Sequence, residues 1–293
     1  MHGIARLKVK RRLTQFTCAL LANGYLPGFV NGVIYHGRLK YACVPFLNCY
    51  SCPGALGACP VGAFQAILAG PGHSMSLYVT GLLTTAGAAV GRAICGWLCP
   101  FGLLQELLAR PRAYRVRFPR ALLALKYVVL VLTITLPAVW VGAGGVGAPY
   151  FCKYVCPAGT LEAGLFLGLR DPALRELMGT LFAWKVLLLL LFLVLMVVTY
   201  RPFCRTACPL GAFYSVFNRV SFWRLNLDRA RCNGCGACRR ACPLDIAVDE
   251  NPNHPECVRC LDCTRVCPTN ALRFGTALAP GEGAVLRWPA TTR

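Results

Sequence analysis

Residues 95–108 read CGWLCPFGLLQELL, and residues 204–217 read CRTACPLGAFYSVF. Both write Cys-x3-Cys-Pro-x-Gly and then a short apolar run. A third copy, CKYVCPAGTLEAGL, stands at 152–165. A fourth, CPVGAFQAIL at 59–68, has Ala55 where the earlier cysteine would be, with Cys52 and Cys49 further upstream. Recurrence of this kind marks a repeated structural unit. Proline suits the first turn of a helix, where its missing N–H would have no partner anyway. The cysteine before it then sits at a helix N-terminus, where peptide N–H groups and the helix dipole favour a thiolate.

Long apolar stretches separate the copies. The 293 residues are 56% hydrophobic and only 14% charged, a balance that points to a membrane protein. Four stretches approach the roughly 20 residues of a span. They cover 13–30, 74–94, 121–141 and 180–199, the first interrupted by Gly24, Pro27 and Gly28. Its basic leader RLKVKRR has no clear small-residue cleavage site after it, so the stretch is read as an anchor. Lys and Arg number five in 1–12, seven in 91–126 and thirteen beyond Thr199, against two in 31–73 and three in 142–179. By the positive-inside rule both termini are cytoplasmic, in a bacterial-type inner membrane. The net charge of +20 is thereby assigned to contact with membrane lipid and not to nucleic acid.

This topology pairs the copies. Those at 95 and 204 follow the second and fourth stretches, so Cys95, Cys99, Cys204 and Cys208 form a four-thiolate set on the inner face, fit for one [4Fe–4S] cluster. Those at 59 and 152 face outward. Cys152 and Cys156 join two of Cys49, Cys52 and Cys59, taken as Cys52 and Cys59 with Cys49 as a substitute ligand. Disulfides are the rival for this outer set. Glu106 and Glu162 follow their motifs closely and suggest cluster or quinone surroundings. Lys185, costly inside a span, either neutralises a cluster or a semiquinone or snorkels to the outer interface. Cys18 is a packed hydrophobe, and Cys43 has no assignment.

The most specific signal is C-terminal. CNGCGACRRACP at 232–243 and CVRCLDCTRVCP at 257–268 are C-x2-C-x2-C-x3-C-P twice over. Each run supplies three thiolates to one cluster and its fourth to the other. Cys232, Cys235, Cys238 and Cys267 hold the first; Cys257, Cys260, Cys263 and Cys242 hold the second. Zinc knuckles have no use for the third cysteine at the next x2 step.

Other chemistries are excluded. His2, His36, His73 and His254 all lie outside the apolar stretches, so bis-histidine haem is ruled out. No C-x2-C-H or flavin motif occurs. A G-x-G-x-x-G match at Gly142, Gly144 and Gly147 follows an apolar stretch and opens no strand–helix unit, so it is a turn.

At these motifs the chain resembles the NapH-type membrane ferredoxins and their polyferredoxin relatives, which share four spans, two cytoplasmic C-x3-C-P motifs (CGWLCP and CRTACP here) and a C-terminal two-cluster ferredoxin. The resemblance implies an electron-transfer subunit of an oxidoreductase complex, exchanging electrons with a redox partner protein and the quinone pool, as a quinol dehydrogenase does. The outer cysteines are a departure from that type. The expected fold is an α-helical membrane protein of four transmembrane helices with short re-entrant half-helices, plus a small α+β ferredoxin domain. The expected divisions are a basic arm (1–12), the membrane domain (13–220), the ferredoxin domain (221–275) and a flexible tail (276–293). The expected function is passage of single electrons between a cytoplasmic partner and quinone or an outward-facing acceptor. Alternatives are a metal-ion reductase, acting for example on cupric ion, and a membrane redox sensor.

Overall fold

The computed structural model describes residues 2–70, 75–109, 118–140, 147–176 and 178–277. His73, Gly142, Gly144 and nearly all of the expected tail lie outside them.

The first helix, α1 (His2–Ala22), buries Leu7, Arg11, Gln15 and Ala22 at helical spacing and exposes Val9, Leu13, Phe16 and Leu20. Gly24 and Pro27 divide the first apolar stretch, and the chain turns at Asn23 into α2 (Leu26–Asn31). An irregular loop with one helical turn at Arg38–Tyr41 leads to α3 (Pro60–Leu68). The second stretch forms α4 (Leu77–Val90), only 14 residues long. It stops at Gly91, whose φ of +52° and close approach to Asn218 Oδ1 and the Arg259 guanidinium leave no room for a side chain. Then come α5 (Ala93–Trp97) and α6 (Pro100–Leu108).

Helices α7 (Arg120–Val139) and, further on, α11 (Thr180–Val198) are the long ones. Among the described residues, two segments are long and apolar enough to cross a membrane, Ala121–Val139 and Thr180–Val198. Both turn apolar side chains outward, Val128 and Val131 from one, Leu187, Leu190 and Val194 from the other, as helices that are hydrophobic all round do in lipid. Between them run a wide turn at Phe151–Val155, α8 (Pro157–Gly159), a second wide turn at Thr160–Gly164, α9 (Leu165–Arg170) and α10 (Pro172–Glu176). After α11 come α12 (Pro202–Thr206) and α13 (Pro209–Phe217).

The C-terminal unit pairs β1 (Trp223–Leu227) antiparallel with β2 (Leu272–Thr276), Leu225 opposite Phe274, and carries α14 (Ala237–Ala241) and α15 (Asp262–Arg265). Leu225, Leu244, Ile246, Val248, Val258 and Leu272 form its core, joined by Tyr200 from the end of α11. A larger core holds the membrane part together and contains Cys59, Cys95, Cys99, Cys156 and Cys208 in one continuous cluster.

Candidate metal centres

All four Cys-Pro motifs fold alike. Cys59, Cys99, Cys156 and Cys208 are the N-caps of α3, α6, α8 and α13, in extended backbone, each followed by proline in the first turn. The motif glycine turns its N–H back to the sulfur: Gly159 to Cys156 Sγ at 3.4 Å and Gly211 to Cys208 Sγ at 3.3 Å. The Gly62 and Gly102 amides are directed at Cys59 and Cys99 in the same way. Each sulfur thus occupies the orphan-donor site of a helix start, where negative charge is stabilised.

In the set expected on the inner face, each of Cys95, Cys99, Cys204 and Cys208 lies within electrostatic reach of the other three. Their surroundings repeat about an internal pseudo-twofold. Arg92 Nη2 donates to the Cys204 carbonyl at 3.1 Å, and Arg201 Nη1 donates to the Cys95 carbonyl at 2.7 Å, so the arginine three residues before each cysteine crosses to the opposite motif. A Cβ on Gly102 would sit 2.9 Å from Cys95 O, and one on Gly211 2.9 Å from Cys204 O. Gln105 Nε2 donates to Cys204 Sγ at 2.9 Å. Glu106 accepts from Arg11 at 3.0 Å, Arg201 at 2.6 Å and Tyr200 at 2.7 Å; Glu256 accepts from Arg92 at 3.1 Å and from Lys126. Burial alone would raise the Glu256 carboxyl, but Arg92 and Lys126 hold it below its ordinary value. Arg11, Arg92, Lys126 and Arg201 are four buried cations against three buried carboxylates, Glu106, Glu256 and Asp262, the last 3.5 Å from Arg11, and Nε of all three arginines lacks a hydrogen-bond partner. Such a cationic shell is costly unless an anion fills it. Four thiolates around an iron–sulfur cluster are such an anion.

In the set expected on the outer face, Cys49, Cys59, Cys152 and Cys156 are likewise each within electrostatic reach of the others, and all four line a cavity of about 540 Å³ together with Tyr50 and Lys185. The cross-packing is reciprocal. A Cβ on Gly62 would meet Cys152 Sγ at 3.7 Å, and one on Gly159 would meet Cys49 Sγ at 3.7 Å. Glu162 Oε2 accepts the Cys49 N–H at 2.8 Å. Cys52 is buried outside the cavity lining, beside Lys40 and the Gly54 and Ala55 amides. Cys43 bridges to Ala58 through the backbone, and Cys18 packs on the main core.

In the C-terminal unit, Cys242, Cys257, Cys260 and Cys263 are mutually within reach and face the membrane part. Arg11 donates to the Cys260 carbonyl at 3.1 Å and Trp97 Nε1 to the Arg259 carbonyl at 2.9 Å. Cys238 reaches Cys267, while Cys232 and Cys235 stand in the loop before α14, Cys235 exposed. Gly234 and Gly236 take positive φ in the first run; the second run puts Arg259 (φ +52°) and Leu261 (φ +65°) there. Arg259 is held in that conformation because its guanidinium donates to Val90 O and Asn218 O at 2.8 Å, Ser221 Oγ at 2.6 Å and Trp223 O. Burial pushes that guanidinium down to about 10, still charged at neutral pH. In sequence Arg259 looks like one more surface cation; in the fold it is a buried joint. Arg239, by contrast, is exposed and paired with Asp249 and Glu250.

Sequence reasoning missed one periodic feature. The residue six beyond the cysteine of each Cys-Pro-x-Gly copy is Gln65, Gln105, Glu162 or Tyr214, and its polar end leaves its own helix for a different segment: Thr133 O, Cys204 Sγ, Cys49 N and Pro45 O respectively. The signal available was four polar residues at one register of an otherwise apolar run.

None of the nineteen cysteines is joined in a disulfide. Among the described residues no three His, Cys, Asp or Glu side chains converge as closely as a single ion requires.

The pattern of the family described as "4Fe-4S binding domain" matches residues 57–76, 71–120, 127–174 and 180–227, together more than half of the chain, and a second pattern of that description matches 225–247. Two uncharacterized proteins of Methanocaldococcus jannaschii are similar. One is 33% identical over 198 residues, 64% of this chain and 74% of its own length. The other is 32% identical over 194 residues, 63% of this chain and 64% of its own, so the chain spans a little under two thirds of that relative. The ferredoxin-type protein NapH of Haemophilus influenzae is 25% identical over 217 residues, 66% of this chain and 69% of its own. No solved structure matches. With more than half its length matched and its cysteine sets built around helix starts, the chain belongs to the 4Fe-4S binding-domain family, as a polyferredoxin of the NapH type.

Proposed function

We propose that this chain is a membrane-bound electron-transfer protein, passing single electrons between a cytoplasmic redox partner and the quinone pool or an acceptor on the far face. The observation that carries the reading is the sequence of four cysteine sets from a partly exposed end, through two buried ones, to the set that lines the cavity. The set of Cys232, Cys235, Cys238 and Cys267 reaches the surface. That of Cys242, Cys257, Cys260 and Cys263 is pinned to the inner membrane set through Trp97, between Cys95 and Cys99, and through Arg11, which also pairs with Glu106, and the outer set follows. A [4Fe–4S] cluster on each would supply one-electron exchange. The residues derived above supply the rest: helix starts favour the thiolates at both membrane sets, and buried arginines and close packing balance the charge and keep water from the inner one.

Lining of the outer cavity by Cys49 supports Cys49, Cys59, Cys152 and Cys156 as the outer ligands, with Cys49 in the place first given to Cys52. The Lys and Arg distribution supports four crossings with both ends cytoplasmic. Exposed Arg229, Arg231, Arg240 and Arg265 suit an acidic donor at the surface end. Iron and acid-labile sulfide on anaerobically purified protein test the reading. About sixteen irons per chain are expected, four for each cluster, and about twelve would remove the outer centre and confine the protein to the cytoplasmic face.

A further inference from the structure

The hydrocarbon core is about 30 Å thick, and clusters at its two faces would need a mobile carrier between them. The structure draws the two membrane cysteine sets far closer than that. The Leu47 amide is directed at the sulfur of Cys99 in the inner set, and the next amide, that of Asn48, at the sulfur of Cys59 in the outer set. Consecutive Cα atoms are about 3.8 Å apart, so neighbouring peptide groups touch both sets. Tyr214, fully buried, donates its hydroxyl to Pro45 O at 2.7 Å and lies within electrostatic reach of Cys95, Cys99, Cys208 and Cys59 at once. The first helix gives an independent ruler. Gln15 reaches Cys99 O at 3.5 Å, and seven residues later Ala22 O accepts from Leu56 in the outer loop at 2.8 Å. Seven helical residues rise about 10 Å. Asn48 is fixed as well, accepting from Asn23 at 2.9 Å and donating to Gly57 O at 3.2 Å.

We propose that Leu47, Asn48 and Tyr214 form a fixed bridge that couples the inner and outer sets directly, with no quinone or other mobile carrier between them. This rests on the reading that both sets hold clusters. One electron lost at the inner set is the electron gained at the outer set; no proton moves and no bond forms or breaks. Leu47, Asn48 and Tyr214 are positioning residues, and their effect is spectroscopic.

The test is electron paramagnetic resonance of the anaerobic full chain in detergent, reduced with dithionite, alongside its iron content. With about sixteen irons, the spectrum should contain a splitting that disappears in Cys152→Ser and, independently, in Cys49→Ser. Tyr214→Phe, which releases Pro45 but removes no ligand, should keep about sixteen irons and weaken the splitting. A sixteen-iron protein whose spectrum equals the sum of those from variants lacking one membrane set or the other overturns the bridge and leaves the four-cluster reading standing. About twelve irons overturns both. An unchanged splitting in Tyr214→Phe removes the tyrosine from the bridge.

Discussion

The inner and outer cysteine sets use the same motif and differ in how the residues around it close the site. The inner set is closed: two helix starts face one another, two arginines cross between them, and buried Glu106 and Glu256 tie the assembly to α1, α7 and the ferredoxin unit. Half of the outer set is the irregular 42–59 loop, which offers Cys49 ten residues before Cys59 where the other copies place a cysteine four residues before. It opens into a cavity with Lys185 on its wall. The contrast teaches that Cys-Pro-x-Gly builds the sulfur site, whereas the residues around it decide how tightly the site is closed. A closed, cationic inner site suits a fixed relay. An open outer site suits the point where electrons leave or enter.

The largest effect should come from breaking the inner shell. Glu106→Ala strands Arg201 without a carboxylate and leaves Arg11 only Asp262 at 3.5 Å, and loss of one partner from a buried ion pair costs about 3–5 kcal/mol. Urea unfolding in detergent should register that loss, with iron falling by about four per chain. Glu162→Gln, which keeps an oxygen for the single Cys49 N–H, should leave iron unchanged. Equal losses in the two variants would erase the distinction between a closed and an open set.

A ligand comparison sharpens the outer site next. Cys49→Ser should remove about four irons, while Cys52→Ser, whose sulfur lies off the cavity, should remove none. The reverse pattern would restore the ligand set expected from spacing.

That pair also marks the limit of what was legible in the sequence. Helix starts at every Cys-Pro-x-Gly follow from proline chemistry and local spacing, and the structure has all four. Membership in a ferredoxin-type family was equally legible, because four cysteine spacings agree at once. The choice between Cys49 and Cys52 was not, since a loop without periodicity gives no direction to a side chain. Burial of Arg259 was hidden for a related reason: its partners Val90, Asn218 and Ser221 are distant in the chain. Helix lengths were only partly legible. Apolar composition marks four stretches, but Gly24, Pro27 and Gly91 cut two of them short, and nothing local says which glycines bend a helix and which merely pack in it.

The smallest expected effect lies in the motif glycines, and it reads the same contrast without touching a ligand or a charge. A Cβ at Gly102 or Gly211 would meet a backbone carbonyl oxygen at 2.9 Å, that of the facing cysteine in the same motif, so the helix start must shift. Overpacking of this kind costs about 1–3 kcal/mol. At Gly62 the nearest atoms are Tyr50 at 3.4 Å and Cys152 Sγ at 3.7 Å, and at Gly159 they are Cys49 Sγ at 3.7 Å and Cys156 Sγ at 3.9 Å, all ordinary contacts. Gly→Ala should therefore lower the denaturation midpoint at 102 and 211 and leave it nearly unmoved at 62 and 159, where alanine's better helix propensity offsets any crowding. Four single substitutions followed by urea unfolding measure this. Four equal shifts would mean that the motif alone, and not the shell around it, sets how tightly each site is closed.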